Sequence, residues 1–227
     1  MVTRRAPRAS RAPRVSRARA AGRRVILAVT GASGAIYAER LLKALLEEGH
    51  GVEIVLSEYG ARVVKEERDL PGDPRRFADA VAARYRIAVP AGRVQVHSNR
   101  DLGAPISSGS YPVHGMAIVP ASARAVGAVA SGIAGTLVDR AALVTLKERR
   151  PLVIVPRETP LSRIQIENFL RLHDAGAVIL PADPAFYQGP RTLEDLGDFI
   201  AARVMEQLGL PPARDLFRRW GKDAARP

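Results

Sequence analysis

The sequence contains no cysteine, and aromatic residues make up only 5% of it. Without cysteine, disulfide bonds, thiol catalysis and thiolate metal sites are excluded, and this absence suits a reducing compartment. Long hydrophobic runs are also absent, since the longest uncharged apolar stretch, residues 125–138, is too short and too rich in glycine to cross a bilayer. We therefore expect a cytoplasmic protein that does not enter the membrane.

Recognisable metal-binding patterns are missing as well. The four histidines, at positions 50, 97, 114 and 173, show no ligand spacing, and no acidic D-D-x-x-D motif is present to hold a magnesium-bound diphosphate. A Ser/His/Asp catalytic order cannot be drawn either. We expect a site without a metal.

Acidic residues are absent from positions 1–24, which hold nine arginines, so most of the +12 net charge lies there. This Arg/Ala/Pro/Ser segment buries too little apolar surface to offset chain entropy, and we expect a disordered leader. Its composition resembles an organelle-type transit peptide, but a solvated tail or a start codon placed too far upstream is the simpler interpretation. Because the rest of the chain is only mildly basic, nucleic-acid binding by the leader is the less favoured alternative.

The chain is organised around residues 25–46. A β-branched apolar run at 25–30, a glycine-bracketed turn at 31–34 and an amphipathic segment at 35–46 predict a strand, a tight loop and a helix. Such a unit opens a nucleotide-binding sheet, in which the first helical turn offers N–H groups and the positive end of the dipole to a phosphate. The loop is G-x-x-G and not the full G-x-G-x-x-G, so it indicates a cofactor site only together with other signals.

Further short apolar runs alternate with helical segments along the chain. This alternation predicts an α/β protein with a three-layer, flavodoxin-like or Rossmann-like parallel sheet and helices on both faces. We assign residues 25–210 to this domain and expect residues 211–227 to dock on it or on a neighbouring subunit. The runs lie at 52–56, 116–119, 152–155 and 177–180, with a shorter strand from residue 94.

Candidate site residues follow the predicted strands. Ser57 ends the second strand, where a dinucleotide-binding fold would carry an acidic residue for the ribose of NAD, so this position favours a mononucleotide such as FMN. Ser122 follows residues 116–119, although both serines are explained equally well as helix N-caps. Arg157 and Glu158 follow a fully apolar strand, and we expect this charge pair to face a site.

Three other features stay open between a binding site and ordinary structure. The motif Ser107-Ser-Gly-Ser110 is typical of an oxyanion-binding loop and also of an exposed turn. Lys147 and the Glu-Arg-Arg after it lie at a predicted helix C-terminus, where cations complement the dipole. Phe186 and Tyr187 follow a two-proline loop and would either wall a ligand or cover the end of the sheet.

Five motifs occur together in one order and spacing. In this combination the chain resembles the UbiX-like flavin prenyltransferases, over about residues 24–220. The motifs are Gly31-Ala-Ser-Gly-Ala-Ile-Tyr37, Ser107-Ser-Gly-Ser110, Lys147-Glu-Arg-Arg-Pro-Leu152, Arg157-Glu-Thr-Pro-Leu161 and Pro184-Ala-Phe-Tyr187.

The resemblance implies a metal-independent enzyme that joins a dimethylallyl group from dimethylallyl monophosphate to N5 and then C6 of reduced FMN. It also implies a flavin-binding domain that assembles into a dodecamer with sites between subunits. The prenylated FMN would then serve a UbiD-type decarboxylase.

Residue roles are carried over by matching position. Glu67 is the least secure match, because the adjacent Glu66 allows a slip of one residue. The chain also departs from the family pattern at Ala121, where relatives often have Cys, at Arg124, where they have Lys, and at Tyr111, where they often have Phe. FMN would be held by Gly31, Ala32, Ser33, Ser57, Ser122, Ala123, Arg124, Ala125 and Arg157. The prenyl phosphate would be held by Lys147, Arg157, Tyr187 and Arg203, with Ser108 and Gly109 nearby and Trp220 against the isoprenoid. Protons would be handled by Ser33, Glu67 and Glu158, with the departing phosphate as a further base.

Two alternative functions remain for the same fold. One is a flavoprotein resembling phosphopantothenoylcysteine decarboxylase, although such an enzyme would be expected to carry a clamp cysteine, which this chain lacks. The other is a decarboxylase that acts without a partner, for which release of carbon dioxide by the purified protein would be diagnostic.

Overall fold

A computed structural model describes residues 22–220. The first 21 residues of the predicted leader and the last seven residues of the predicted C-terminal segment lie outside the described residues. The end of the predicted leader does belong to the domain, because Arg24 begins the first strand and donates to Glu53 at 2.7 Å.

A six-stranded sheet forms the middle layer, and every neighbouring pair of strands in it is parallel. The order across the sheet is β3-β2-β1-β4-β5-β6, so the chain moves outward in one direction and then returns to the centre to continue in the other. This architecture confirms the predicted α/β class. The strands are β1 Arg24–Val29, β2 Gly51–Leu56, β3 Val94–Ser98, β4 Gly115–Ala121, β5 Leu152–Pro156 and β6 Val178–Ile179.

Seven helices in the described part of the chain form the two outer layers. Because side chains alternate along a strand, Val25 and Leu27 pack on one face with α1 and α7, whereas Ile26 and Ala28 pack on the other with α4 and α5. The result is the predicted three-layer arrangement. The helices are α1 Ala35–Glu47, α2 Glu58–Arg68, α3 Pro74–Arg84, α4 Ala123–Ala130, α5 Leu137–Lys147, α6 Arg163–Asp174 and α7 Leu193–Gln207.

Local capping decides two helix boundaries. Helix α4 ends at Ala130, because Gly132 adopts a positive φ of 70° and stops it. Helix α3 begins at Pro74, because Asp73 caps it and proline is favourable in a first turn.

The described part of the C-terminal segment packs on its own chain. Ala213 N–H donates to Glu48 at 3.0 Å, and the Phe217 ring lies 4.7 Å from the Phe199 ring of α7. Trp220 remains 81% exposed.

Candidate functional site

A crevice of about 1170 Å³ opens where the carboxyl ends of β1, β2, β3, β4 and β5 meet. This edge of a parallel sheet is where α/β proteins bind ligands. The crevice brings together most of the residues predicted to hold FMN, together with one predicted proton-handling residue. Its lining includes Gly31, Ala32, Ser33, Ser57, Ser122, Ala123, Arg124, Arg157 and Glu158.

The loop after β1 is held by a carboxylate from α2. Glu67 Oε2 accepts hydrogen bonds from Gly34 N–H at 2.8 Å and from Ala35 N–H at 2.9 Å. The Ser33 side chain also lies beside the Glu67 carboxylate and helps to lower its pKa. Glu66, the alternative match, points elsewhere and pairs with Arg62 on the exposed surface at 2.7 Å.

This contact corrects one expectation about the crevice. The sequence predicts that the first turn of α1 offers free N–H groups to a phosphate, but the groups of Gly34 and Ala35 already donate to Glu67. The positive end of the α1 dipole is therefore neutralised by the protein's own carboxylate. A ligand phosphate must find its donors elsewhere in the crevice.

The surroundings of Glu67 keep it ionised. Partial burial favours the protonated form, but hydrogen bonds from Ser33, Gly34 and Ala35 and the positive charge of Arg157 hold the pKa of Glu67 below its usual value. At neutral pH the carboxylate is thus an acceptor for the Ser33 hydroxyl proton.

Arg157 and Gly34 shape the same loop. The Arg157 Nε–H group donates to the Ser33 carbonyl oxygen at 3.0 Å, which fixes the loop against the end of β5. Gly34 adopts a φ of 114°, and a Cβ added there would lie 2.8 Å from the Tyr37 ring. Only glycine fits this turn without strain.

Helices α2 and α4 also begin at the crevice, and their first N–H groups are available. Ser57 accepts from Gly60 N–H at 3.0 Å, and Ser122 accepts from Ala125 N–H at 3.4 Å, so both serines are N-caps as well as lining residues. Within residues 22–220, no hydrogen bond reaches the N–H groups one and two residues after each cap. Those groups are on Glu58, Tyr59, Ala123 and Arg124. Ala125 itself is buried, and its N–H group donates to the Ser122 side chain that caps α4.

Helix α5 begins at the crevice with its donors already used. Asn99 accepts from the N–H groups of Leu137 at 2.9 Å and Val138 at 3.1 Å through its carbonyl and side-chain oxygens. The Arg124 guanidinium forms two hydrogen bonds to the buried Asp139 of this helix, at 2.7 and 3.1 Å. The carboxylate of Asp139 therefore largely neutralises the charge of Arg124. The group that Arg124 can still offer to a ligand in the crevice is its unpaired backbone N–H.

Arg157 lines the crevice, but the other residues predicted to hold the prenyl phosphate lie outside it, in two groups. In the first group, a Cβ added at Gly109 would lie 2.7 Å from Lys147 Nζ, and the Ser108 and Ser110 hydroxyls are 2.9 Å apart. Lys147 itself pairs with Glu148. A single chain thus places these residues beside one another but not at the flavin loop.

The second group lies at a smaller cleft of about 320 Å³, beyond the end of β6. Arg203 lines this cleft with Phe199 and Asp183. The Tyr187 ring packs edge-on at 5.3 Å against Trp220 and at 6.5 Å against Phe199. One chain does not bring this group together with Lys147 or with the crevice, so their shared role stays a prediction.

Several residues in the crevice or just beneath it escaped sequence reasoning. Thr30 accepts from Ser122 N–H at 2.7 Å and donates to the Pro120 carbonyl at 2.8 Å, which locks the start of α4 to the end of β1. Asn99 positions α5, as described above. His97 was considered only as a metal ligand, yet it lines the crevice. A threonine or histidine at a strand end carries no motif, and only the register of the sheet places it.

Within residues 22–220, no three His, Asp or Glu side chains are grouped so that they could hold a metal ion. None of the helices in that part of the chain is long and apolar enough to cross a membrane.

The chain is similar to known flavoproteins over most of its length. The family model described as Flavoprotein matches residues 14–205. The flavin prenyltransferase UbiX of Pseudomonas aeruginosa is 45% identical over 201 residues, which cover 88% of this chain and 94% of that relative.

Two solved structures of UbiX-like proteins are also similar to this chain. A crystal structure of AnUbiX in complex with FMN and dimethylallyl pyrophosphate is 38% identical, with a TM-score of 0.77 and coverage of 88% of this chain and 97% of that one. A dodecameric FMN-dependent UbiX-like decarboxylase from Escherichia coli O157:H7 is 37% identical, with a TM-score of 0.75 and coverage of 87% and 98%.

Proposed function

The chain belongs to the UbiX family of flavin prenyltransferases, and from this membership we propose that it transfers a dimethylallyl group from a dimethylallyl phosphate to reduced FMN. The observation that carries the proposal is the crevice, which gathers the flavin loop, the capping serines and the Arg157-Glu158 pair in one space. The AnUbiX structure contains dimethylallyl pyrophosphate, whereas the family resemblance implies the monophosphate as donor.

The crevice fits a flavin nucleotide in size and in chemistry. Its volume of about 1170 Å³ is slightly above the roughly 300–1000 Å³ of most small-molecule pockets, so a second, smaller ligand can be accommodated. Small residues at Gly31 and Ala32 allow a flat ring to approach the backbone. The FMN phosphate would bind at the N-termini of α2 and α4. There it would accept hydrogen bonds from Ser57, from Ser122 and from the unpaired backbone N–H groups that follow these two serines.

When bound, reduced FMN supplies the nucleophilic ring atoms, and this chain supplies the surroundings. Ser33 lies between the crevice and the ionised Glu67, so its hydroxyl can pass a proton to that carboxylate. Glu158 is exposed at the same crevice and is the second group able to take up a proton there. Arg157 orients the Ser33 loop and adds positive charge beside it.

The leaving phosphate would be held by residues from neighbouring copies of the chain. Lys147 and Arg203 can neutralise a phosphate dianion and Tyr187 can donate a hydrogen bond to it, but one chain places these residues away from the crevice. Helix α6 exposes Ile164, Ile166 and Leu170, an apolar surface that suits burial between subunits. The dodecameric relative supports an assembly in which the two groups meet the crevice of an adjacent subunit.

The product would leave the crevice for another enzyme. We propose that prenylated FMN from this protein serves a UbiD-type decarboxylase and that the transfer requires no metal ion. The charge on the leaving phosphate would be stabilised by lysine and arginine, which removes the need for a divalent cation.

One experiment tests the function directly. Purified protein is mixed anaerobically with reduced FMN and dimethylallyl monophosphate in the presence of a chelator, and the flavin is then analysed by mass spectrometry. A flavin heavier by one dimethylallyl group is expected. An unchanged flavin mass would overturn the proposal, and release of carbon dioxide from an aromatic acid by the protein alone would favour a decarboxylase, the activity named for the Escherichia coli relative.

A further inference from the structure

His97 is a crevice residue whose orientation is fixed by a buried carboxylate. It lies in β3 beside Val55 of β2, and its Nε2 contacts Glu53, whose side chain is fully buried. The same carboxylate accepts from Arg24 Nη1 at 2.7 Å and from the Tyr111 hydroxyl at 2.8 Å. Burial alone would favour a protonated Glu53, but these three contacts hold the pKa of Glu53 below its usual value. The carboxylate is therefore an ionised acceptor.

The Glu53 contact determines which ring nitrogen of His97 carries the proton. An ionised carboxylate can only accept, so Nε2 donates, and in the tautomer that carries its proton on Nε2 the Nδ1 atom is left as an acceptor. In the part of the chain that the structure describes, Nδ1 has no hydrogen-bond partner and is not an enclosed atom. It therefore reaches solvent, and His97 lines the crevice.

The strand register places His97 beside the donors assigned above to the FMN phosphate. Leu56, the last residue of β2, pairs with Ser98, and Ser57 and α2 follow directly after Leu56. His97 therefore lies one residue before the level at which β2 ends. In FMN the ribityl chain adjoins the phosphate and carries hydroxyl donors, whereas a phosphate dianion offers only acceptors. An acceptor nitrogen at this place complements a ribityl hydroxyl and not the phosphate itself.

We propose that His97 is a binding residue for the flavin nucleotide, in which Nδ1 accepts a hydrogen bond from a ribityl hydroxyl. Glu53 orients the ring through Nε2, and Arg24 and Tyr111 hold Glu53 in place. This inference rests on the proposed function, because it requires that the crevice binds FMN.

Two amide substitutions separate the two ring nitrogens. The side-chain amide of asparagine reaches approximately the position of Nδ1, and that of glutamine reaches approximately the position of Nε2. His97→Asn thus keeps a polar atom facing the crevice, whereas His97→Gln keeps the partner of Glu53. His97→Phe removes both, and His173→Phe makes the same chemical change on exposed α6, away from the crevice.

The measurement is the Kd for FMN, from flavin fluorescence at one fixed, mildly alkaline pH. We expect His97→Phe and His97→Gln to raise the Kd about tenfold, the effect of one lost hydrogen bond. His97→Asn should stay within about threefold of the wild type, and His173→Phe should match it. A melting temperature for each variant shows whether it is folded, and His97→Gln is expected to melt close to the wild type.

The outcomes distinguish the inference from the proposed function. Absence of FMN binding by the wild type would overturn the proposed function. Normal FMN binding by every His97 variant would overturn the inference alone, and so would tight binding by the glutamine variant with weak binding by the asparagine variant. In a parallel titration with riboflavin, we expect the same relative losses; a loss confined to FMN would mean a phosphate contact and overturn the hydroxyl assignment.

Discussion

At the scale of single residues, Glu67 shows how an ordinary side chain acquires a special role. Glu66 and Glu67 are chemically identical, but successive residues of a helix point about 100° apart. Glu67 consequently contacts the Ser33 loop, while Glu66 remains at the surface with Arg62. The sequence named Glu67 only through the family resemblance and left the choice between the two open, because no local pattern separates them.

This difference gives the first prediction. Glu67→Gln keeps an oxygen that can accept from Gly34 and Ala35 but removes the group that can take up a proton from Ser33. We expect prenylation to slow about 100-fold, in the range of one general acid–base contribution, with FMN binding nearly unchanged.

Glu66→Gln is the matched control, measured by the same single-turnover assay of flavin mass. It should retain wild-type rates, because its side chain lies in an exposed ion pair. Equal rates for the two variants would remove Glu67 from the proton pathway.

Gly34 carries the second prediction at this scale. Gly34→Ala places a methyl group 2.8 Å from the Tyr37 ring at a φ of 114°, where L-residues are strained. We expect a loss of about 2 kcal/mol of unfolding free energy, measured by urea denaturation. At Gly132, which also has a positive φ but no atom near the position of a Cβ, substitution by alanine should cost less.

At the scale of secondary-structure elements, a second buried carboxylate ties three helices together. Glu39 of α1 is fully buried and accepts from Arg68 of α2, Arg84 of α3 and Tyr85 just after it. Burial opposes ionisation, but these hydrogen bonds hold the pKa of Glu39 below its ordinary value. No sequence pattern indicates this contact, because a glutamate in an amphipathic helix is normally on the solvent face.

The third prediction concerns acid stability. A carboxyl group whose pKa is lower in the folded state stabilises the fold above its unfolded pKa, near 4.5, and this contribution is lost as the pH falls through the lower folded value. We expect Glu39→Gln to lower the free energy of unfolding by about 3 kcal/mol at pH 7. Between about pH 5 and pH 3, the stability of this variant should decline less than that of the wild type. Urea midpoints across that range measure both effects. If the mutant matched Glu66→Gln at every pH, Glu39 would contribute nothing beyond an exposed ion pair.

Periodicity and apolar runs were sufficient to predict which segments become strands and helices here. They could not predict the strand order, because β4 returns to pair with β1 through contacts that no local pattern encodes. Helix boundaries depend on individual caps, such as Asp73 before α3, which apolar periodicity does not mark. The lining of the crevice was predicted well where glycine or serine follows a strand, and poorly where a strand residue such as His97 faces it.

At the scale of the whole molecule, the predicted phosphate ligands imply that one chain is an incomplete enzyme. Lys147 lies with the Ser108 loop, Arg203 lies on α7, and neither lines the crevice of its own chain. The family resemblance grouped these residues by function, but sequence alone could not reveal that they are separated within one subunit.

Mixed assemblies provide the fourth prediction. Lys147→Ala and Arg203→Ala are each expected to be inactive alone. If the two side chains reach one site from different subunits, co-expression at equal amounts should restore about a quarter of the sites, because each of two subunits then has an even chance of supplying the intact residue. The assay is turnover of dimethylallyl phosphate by the co-purified assembly. Complete inactivity of the mixture would show that both residues serve a site from the same chain.

The carboxylate at the start of α1 also has a practical consequence for inhibitor design. An anionic inhibitor group directed at the N-terminus of α1 would have to displace Glu67 from its two N–H donors. Because Glu67 belongs to the same chain, it competes at a high effective concentration. Compounds whose acidic group is directed at the N-termini of α2 and α4 would not have to displace a carboxylate in this way.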